Sequence, residues 1–309
     1  YGRGDCLLPA KMVGRPLTVD HGHADYLTTF SMQPKATPKT KAVRAVKRTF
    51  YDLRHAAYAG GLAPGHTDYA CFVIVASART GSTLVTRSLN QHGAAVTYGE
   101  IMRHPDLFPA RFPELGNSAG LFRNDPARFL EERIYRKYPD SVAAVGFKIF
   151  YSHAPRDTVW GQAVWDYLVG QPALRVIHLR RRNLLAAQIS RKKAAAADEW
   201  IKYSDASQAT GVTLDYEETR ARFEQARAWE REYNALFAGH PLMDLVYEDV
   251  AANYAGEMQR VQSFLSLPPR DVPPATKKRP PQPLSEQIAN YDDLKARFAD
   301  TPWGEFFTD

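Results

Sequence analysis

The chain has 309 residues, 44% of them hydrophobic and 12% aromatic, enough apolar mass for one large α/β domain or two small ones. No apolar run approaches the roughly 18 residues that a membrane-spanning helix needs. The two cysteines, Cys6 and Cys71, exclude a disulfide-built scaffold and fit a reducing, cytoplasmic setting. A net charge of +6 favours an anionic ligand without choosing among nucleic acid, nucleotide and anionic glycan.

Residues 1–40 carry Gly, Pro and His without a sustained period, which predicts an irregular arm packed on the body or on a second subunit in a homodimer. Residues 41–58 place Val43, Val46, Phe50, Leu53 and Ala57 at helical spacing with basic residues opposite. That segment reads as a solvated amphipathic helix or as a basic surface helix that touches a substrate or partner. We expect residues 1–60 to form the arm and helix, and 61–309 a single domain. From residue 70 the pattern changes. The runs at 71–76, 142–150, 174–179 and 243–249 are near-continuous apolar stretches, as in parallel strands buried on both faces. Helical stretches lie at about 83–92, 126–137, 158–169, 183–203 and 215–237. The alternation predicts an α/β fold with a parallel sheet flanked by helices. The aromatics Trp160, Trp165 and Tyr167 read as core or as walls of an acceptor cleft, and the set Phe223, Trp229, Tyr233 and Phe237 as the packed face of a helix. A basic, proline-dense stretch (276–287) reads as a loop before a last helix near 287–298.

In open parallel sheets ligands sit beyond the carboxyl ends of the strands. The stretch CFVIVA–SARTGS–TLVTRS, residues 71–88, is strand, tight turn and helix in that order, the context that a phosphate loop needs. Gly81 lets backbone amides approach an anion, Ser82 and Thr83 add hydroxyls, and Arg79 adds charge. Compared with G-x-x-x-x-G-K-[ST], Ala76 replaces the first glycine and Ser82 the lysine. An ordinary strand–helix turn is the alternative. A second strand, LRVIHL, runs into Arg180, Arg181 and Arg182 and then a helix bearing Ser190. Arg182 at the strand end and Ser190 about two turns into the helix could face one crevice. Two separated anion sites on one sheet edge fit a nucleotide phosphorylated at both ends of its ribose; a solvated arginine turn is the alternative. Lys148 stands in an otherwise apolar strand, where burial is costly unless it meets an anion or its head reaches water.

These residues resemble the sulfotransferases that use 3′-phosphoadenosine 5′-phosphosulfate (PAPS). The resemblance rests on SARTGST (77–83), Arg182-x₇-Ser190, MDLVYEDV (243–250) and KKRPPQPLSEQIANYDDLKARF (277–298). It is similar in these to bacterial members that act on nodulation factors and other glycans. The resemblance implies a P-loop-like sulfotransferase fold. It also implies transfer of a sulfuryl group from PAPS to an acceptor hydroxyl or amine, with PAP released and no metal or nucleic acid required. The acceptor would be a carbohydrate, a glycolipid or a small polar metabolite. By the same resemblance Arg79, Thr80, Gly81, Ser82 and Thr83 would bind the 5′-phosphosulfate, and Arg182 and Ser190 the 3′-phosphate. The loop carrying Lys277, Lys278 and Arg279 would close over the nucleotide. Glu100 falls where glycan-type members carry a general base, with His104 and His153 as rivals, and Lys148 would touch the sulfuryl group or the acceptor. Two other readings stay open at this point. One is a P-loop nucleotide or nucleoside kinase, disfavoured by the missing loop lysine; the other is a non-catalytic basic protein of the same fold.

Overall fold

The computed structural model describes residues 38–200, 211–275 and 282–307. Within them five strands, β1 (Ala70–Ala76), β2 (Ala95–Glu100), β3 (Ala144–Phe150), β4 (Arg175–Arg180) and β5 (Leu242–Val246), form one sheet in the order β2-β3-β1-β4-β5. Every pair is parallel. The helices are α1 (Pro38–Ala59), α2 (Ser82–His92), α3 (Ala119–Asn124), α4 (Pro126–Phe129), α5 (Val159–Val169), α6 (Leu184–Trp200) and α7 (Tyr216–Leu236), then α8 (Tyr247–Ala252), α9 (Tyr254–Phe264), α10 (Leu284–Gln287) and α11 (Tyr291–Phe298).

β1 is the middle strand, and successive side chains enter different cores. Cys71, Val73 and Val75 join Phe147, Trp165 and Tyr233 on one face; Phe72, Ile74 and Ala76 join Val85, Leu89 and Val261 on the other. Burial on both faces explains why the strand reads as an unbroken apolar run. A third cluster, which includes Leu185, Ile189, Phe223, Leu294 and Phe298, packs the C-terminal helix onto α6 and α7. The turn after β1 therefore sits at the centre of the sheet, held from both sides.

The four expected strands are present, and β2 is an addition. Val96, Thr97 and Tyr98 suit a strand, but the run is six residues long and ends in Gly99 and Glu100, too short to stand out beside the helix before it. The strand expected at 243–249 stops at Val246; Tyr247, Glu248 and Asp249 open α8 instead, where carboxylates favour the helix N-terminus. The helix expected at 126–137 is α4 followed by a π-helical turn, Leu130–Ile134. Cys71 is buried and is not a free thiol, so the cysteine count no longer argues for a reducing compartment. No described helix is long and apolar enough to cross a membrane. The predicted arm falls outside the described residues up to position 37. α1 is fastened to the body by Arg48, which donates to the Ala110 carbonyl at 3.0 Å, and by Asp52, which receives Arg133 at 2.9 Å.

Trp165 ties α5 to α7. Its ring lies 4.9 Å from Tyr233, and its Nε1 donates to the Ala154 carbonyl at 2.8 Å. Trp165→Ala empties this space and orphans that carbonyl, so urea denaturation should show a loss of about 3–5 kcal/mol; a loss under about 1 kcal/mol would contradict this packing.

Candidate active site

The turn from Ser77 to Gly81 joins β1 to α2 through two left-handed residues, Arg79 (φ 69°) and Gly81 (φ 79°). An arginine there carries a steric cost, and specific contacts hold it. Arg181 Nη1 donates to the Arg79 carbonyl at 3.0 Å, and Arg79 Nε donates to Ser190 Oγ at 2.9 Å. Thr80 Oγ1 donates to the Ser77 carbonyl at 2.9 Å, while Thr83 is exposed. A Cβ on Gly81 would lie 2.3 Å from the Tyr247 ring, so Tyr247 forms the floor under the turn. Arg181 in turn stacks over that ring at 4.9 Å.

Lys148 reaches this turn from the next strand. The sheet register pairs it with Ile74 of β1 on one side and Glu100 of β2 on the other, with a bulge between Tyr98 and Glu100. Its side chain shares the sheet face that α2 covers, so it meets Ser82, the first residue of that helix. Lys148 Nζ donates to Ser82 Oγ at 3.2 Å and pairs with Glu100 Oε1 at 3.1 Å. The lysine side chain is 5% exposed and the glutamate 22%. The cost of burying the ammonium is thus offset by an ion pair and a hydroxyl acceptor. Ser82 is the position where the loop lacks a lysine relative to an NTPase; the cation arrives there from β3.

Burial alone would raise the Glu100 carboxyl, but Lys148, with Arg103 beside it, outweighs burial and holds it below the usual carboxylate range. Burial pulls the Lys148 ammonium below its usual range against the opposing pull of Glu100. Arg103 Nε approaches Glu100 Oε2 at 3.9 Å. His153 is driven down to about 3, chiefly by burial, and its Nδ1 accepts the Phe150 amide at 3.2 Å. At neutral pH it is therefore an uncharged imidazole with its proton on Nε2. His104 accepts the Asp106 amide at 3.3 Å and serves its own turn. Arg111, which sequence reading did not single out, lies against Gly99, so cations flank Glu100 from more than one element.

The three successive arginines divide. Arg180 pairs with Asp244 and approaches Glu230 at 3.9 Å. Arg181 buttresses the turn. Arg182 is exposed, and its side chain pairs with Asp249 at 3.0 Å while its amide donates to Glu248 at 2.8 Å. The structure thus gives Ser190 to Arg79 as its partner and Asp249 to Arg182. A cavity of about 460 Å³ is lined by Arg180, Arg181, Arg182, Arg227 and Arg231 together with Glu230, a size suited to a small ligand. Arg181 and Tyr247 were missed because a triple arginine and a strand tyrosine look interchangeable with neighbours in sequence; only the register separates them. Lys277, Lys278 and Arg279 lie outside the described residues. Among the described residues no cluster of His, Cys, Asp or Glu could hold a metal ion.

A parallel sheet with an amide-rich turn at the carboxyl end of its central strand defines an anion-handling α/β protein. The pattern of the sulfotransferase family matches residues 72–271, and the chain belongs to that family. It is a sulfotransferase, not a kinase. Nodulation protein H of Rhizobium tropici is 28% identical over 246 residues, covering 76% of this chain and 92% of that protein. Nodulation protein H of Rhizobium meliloti (strain 1021) is 25% identical over 247 residues, 76% of this chain and 94% of the relative. A solved sulfotransferase from Alicyclobacillus acidocaldarius is 18% identical with a TM-score of 0.43, covering 77% of this chain and 94% of that one.

Gly81→Ala should force the turn off Tyr247 and add backbone strain at a positive φ. We expect urea denaturation to show a loss of about 1–3 kcal/mol with the circular-dichroism spectrum unchanged; unaltered stability would contradict a rigid, glycine-dependent turn.

Proposed function

We propose that PAPS is the sulfuryl donor and that the acceptor is a hydroxyl or amine, in the first place a carbohydrate or glycolipid hydroxyl. The observation that carries this reading is Lys148, which joins Glu100 at 3.1 Å to Ser82 at 3.2 Å and so links a carboxylate to the phosphate turn through one cation. The acceptor is the part that the resemblance to glycan-type members and the likeness to Nodulation protein H support.

In the proposed reaction the acceptor oxygen bonds to sulfur while the bond from sulfur to the bridging phosphate oxygen breaks. The acceptor proton passes to Glu100, and PAP departs with the bridging electron pair. Glu100 suits this role because its carboxyl, held below the usual range, is ionised and proton-accepting at neutral pH. Lys148 would turn from Glu100 toward the sulfuryl oxygens as charge builds there, which frees the carboxylate as it is needed. Arg79, Thr80, Gly81, Ser82 and Thr83 would cradle the 5′-phosphosulfate, and developing charge would be met by fixed hydroxyls, amides and cations without a divalent metal. Ser190 would contact the 3′-phosphate. Arg182 would join it by exchanging Asp249 for that phosphate, in the arginine-lined cavity. His153, uncharged and buried, would contact the acceptor and orient it for attack, and the Lys277–Arg279 loop would cover the nucleotide.

Two substitutions separate chemistry from binding. Glu100→Gln should lower kcat about 10²- to 10⁴-fold with PAP affinity within a few-fold of the parent, and Arg182→Ala should mainly raise the KM for PAPS. Each is read by following PAP release with a glycan acceptor. Near-parental kcat in Glu100→Gln would remove Glu100 as the base. Arg79→Ala should lose most turnover as well, because the residue shapes the turn and also holds Ser190.

A further inference from the structure

α1 is oriented the opposite way from an ordinary surface helix. Val43, Val46, Phe50 and Leu53 follow one another at alternating intervals of three and four residues, which draws them into a single stripe along the helix. The stripe faces away from the protein: the four residues are 48%, 72%, 60% and 68% exposed, and Leu62, just beyond the helix, is 87% exposed. The face turned inward is polar. Arg48 donates to the Ala110 carbonyl, Asp52 holds Arg133 and Asn117, and His55 is buried beside Arg133. Burial first, then Arg136 and Arg133, drive His55 down to about 3, so it packs there as an uncharged ring. Polar contacts on the inner face therefore fix the apolar stripe outward.

The charge around the stripe selects its occupant. Lys47 is exposed beside Val43 and Phe50, and Arg44 and Arg54 stand half-buried on the same flank. Asp52 is the only acidic residue between Val43 and Leu62, and Arg133 neutralises it. We propose that α1 lies in the plane of an anionic lipid surface, with Val43, Val46, Phe50 and Leu53 in the boundary between headgroups and acyl chains and Lys47, Arg44 and Arg54 on the headgroups. An apolar stripe bordered by cations is the pattern of an interfacial helix, and an anionic leaflet complements the charge that the stripe carries. A second copy fits less well, since antiparallel pairing along the stripe would set Lys47 and Arg54 against the same cations of the other helix. Four side chains are a small apolar area, so the attachment is reversible. The proposal stands apart from the identity of the sulfuryl donor and acceptor.

The test is co-sedimentation of the full chain with vesicles of phosphatidylcholine alone or with added phosphatidylglycerol. Binding is expected only to the anionic vesicles, weakened by high salt. The double variant F50S/L53S should bind at least about tenfold more weakly, with its melting temperature and its PAP affinity unchanged because both side chains are exposed. Absence of binding by the parent chain, or equal binding by the variant, would overturn the proposal. So would a concentration-dependent dimer that F50S/L53S dissociates, because a second copy would then be what covers the stripe.

Discussion

The structure turns on one buried cation. Lys148 sits in the middle of a parallel sheet, where an unpaired ammonium would cost several kcal/mol, and it is tolerated because Glu100 and Ser82 meet it from the two neighbouring elements. This requirement sets the local geometry. The bulge after Tyr98 brings Glu100 level with Lys148, and the left-handed Gly81 starts α2 where Ser82 can accept from it. The strand register, the turn and the helix start are therefore coupled through a single side chain.

That coupling explains how the loop does without its own lysine. An NTPase places the cation within the turn, next to the phosphates. Here the cation comes from β3, where it is shared with a carboxylate before any donor is present. A cation held in this way can stabilise charge on the transferring group and also govern the basicity of the carboxylate. Sulfuryl transfer asks for both. The missing loop lysine was therefore weak evidence against a kinase, because a lysine does reach Ser82; membership of the sulfotransferase family is what decides between the two.

The fold was legible where burial leaves a continuous apolar run. Strands β1, β3 and β4 and helices α2, α5, α6 and α7 follow the sequence pattern closely, since being covered on both faces leaves the strands mostly apolar and the helices keep one apolar side; the edge strand β5 was found but ends three residues early. β2 was hidden because it is a short edge strand whose apolar run breaks off at Gly99 and Glu100. The carboxylate that pairs with Lys148 removes the apolar signal of a strand. The site residues were legible by type but not by partner. Arg182 and Ser190 read as a pair, yet Ser190 holds Arg79 and Arg182 holds Asp249. Sequence spacing puts both near one crevice; which acid or hydroxyl each reaches depends on where β5 gives way to α8. α1 shows the reverse case. Its amphipathic period was clear, but which face it buries depends on polar contacts made more than fifty residues away in sequence, as with Arg48 and Ala110.

The most direct test of the central pairing is the ionisation of the Glu100 carboxyl itself, followed by isotope-edited infrared titration of the parent chain and of Lys148→Met. The account predicts a carboxyl below the usual carboxylate range in the parent chain, and a clear upward movement once Lys148 is gone, because burial then acts with less opposition. A Glu100 that titrates at the same pH in both proteins would contradict the link between the carboxylate, the lysine and the phosphate turn.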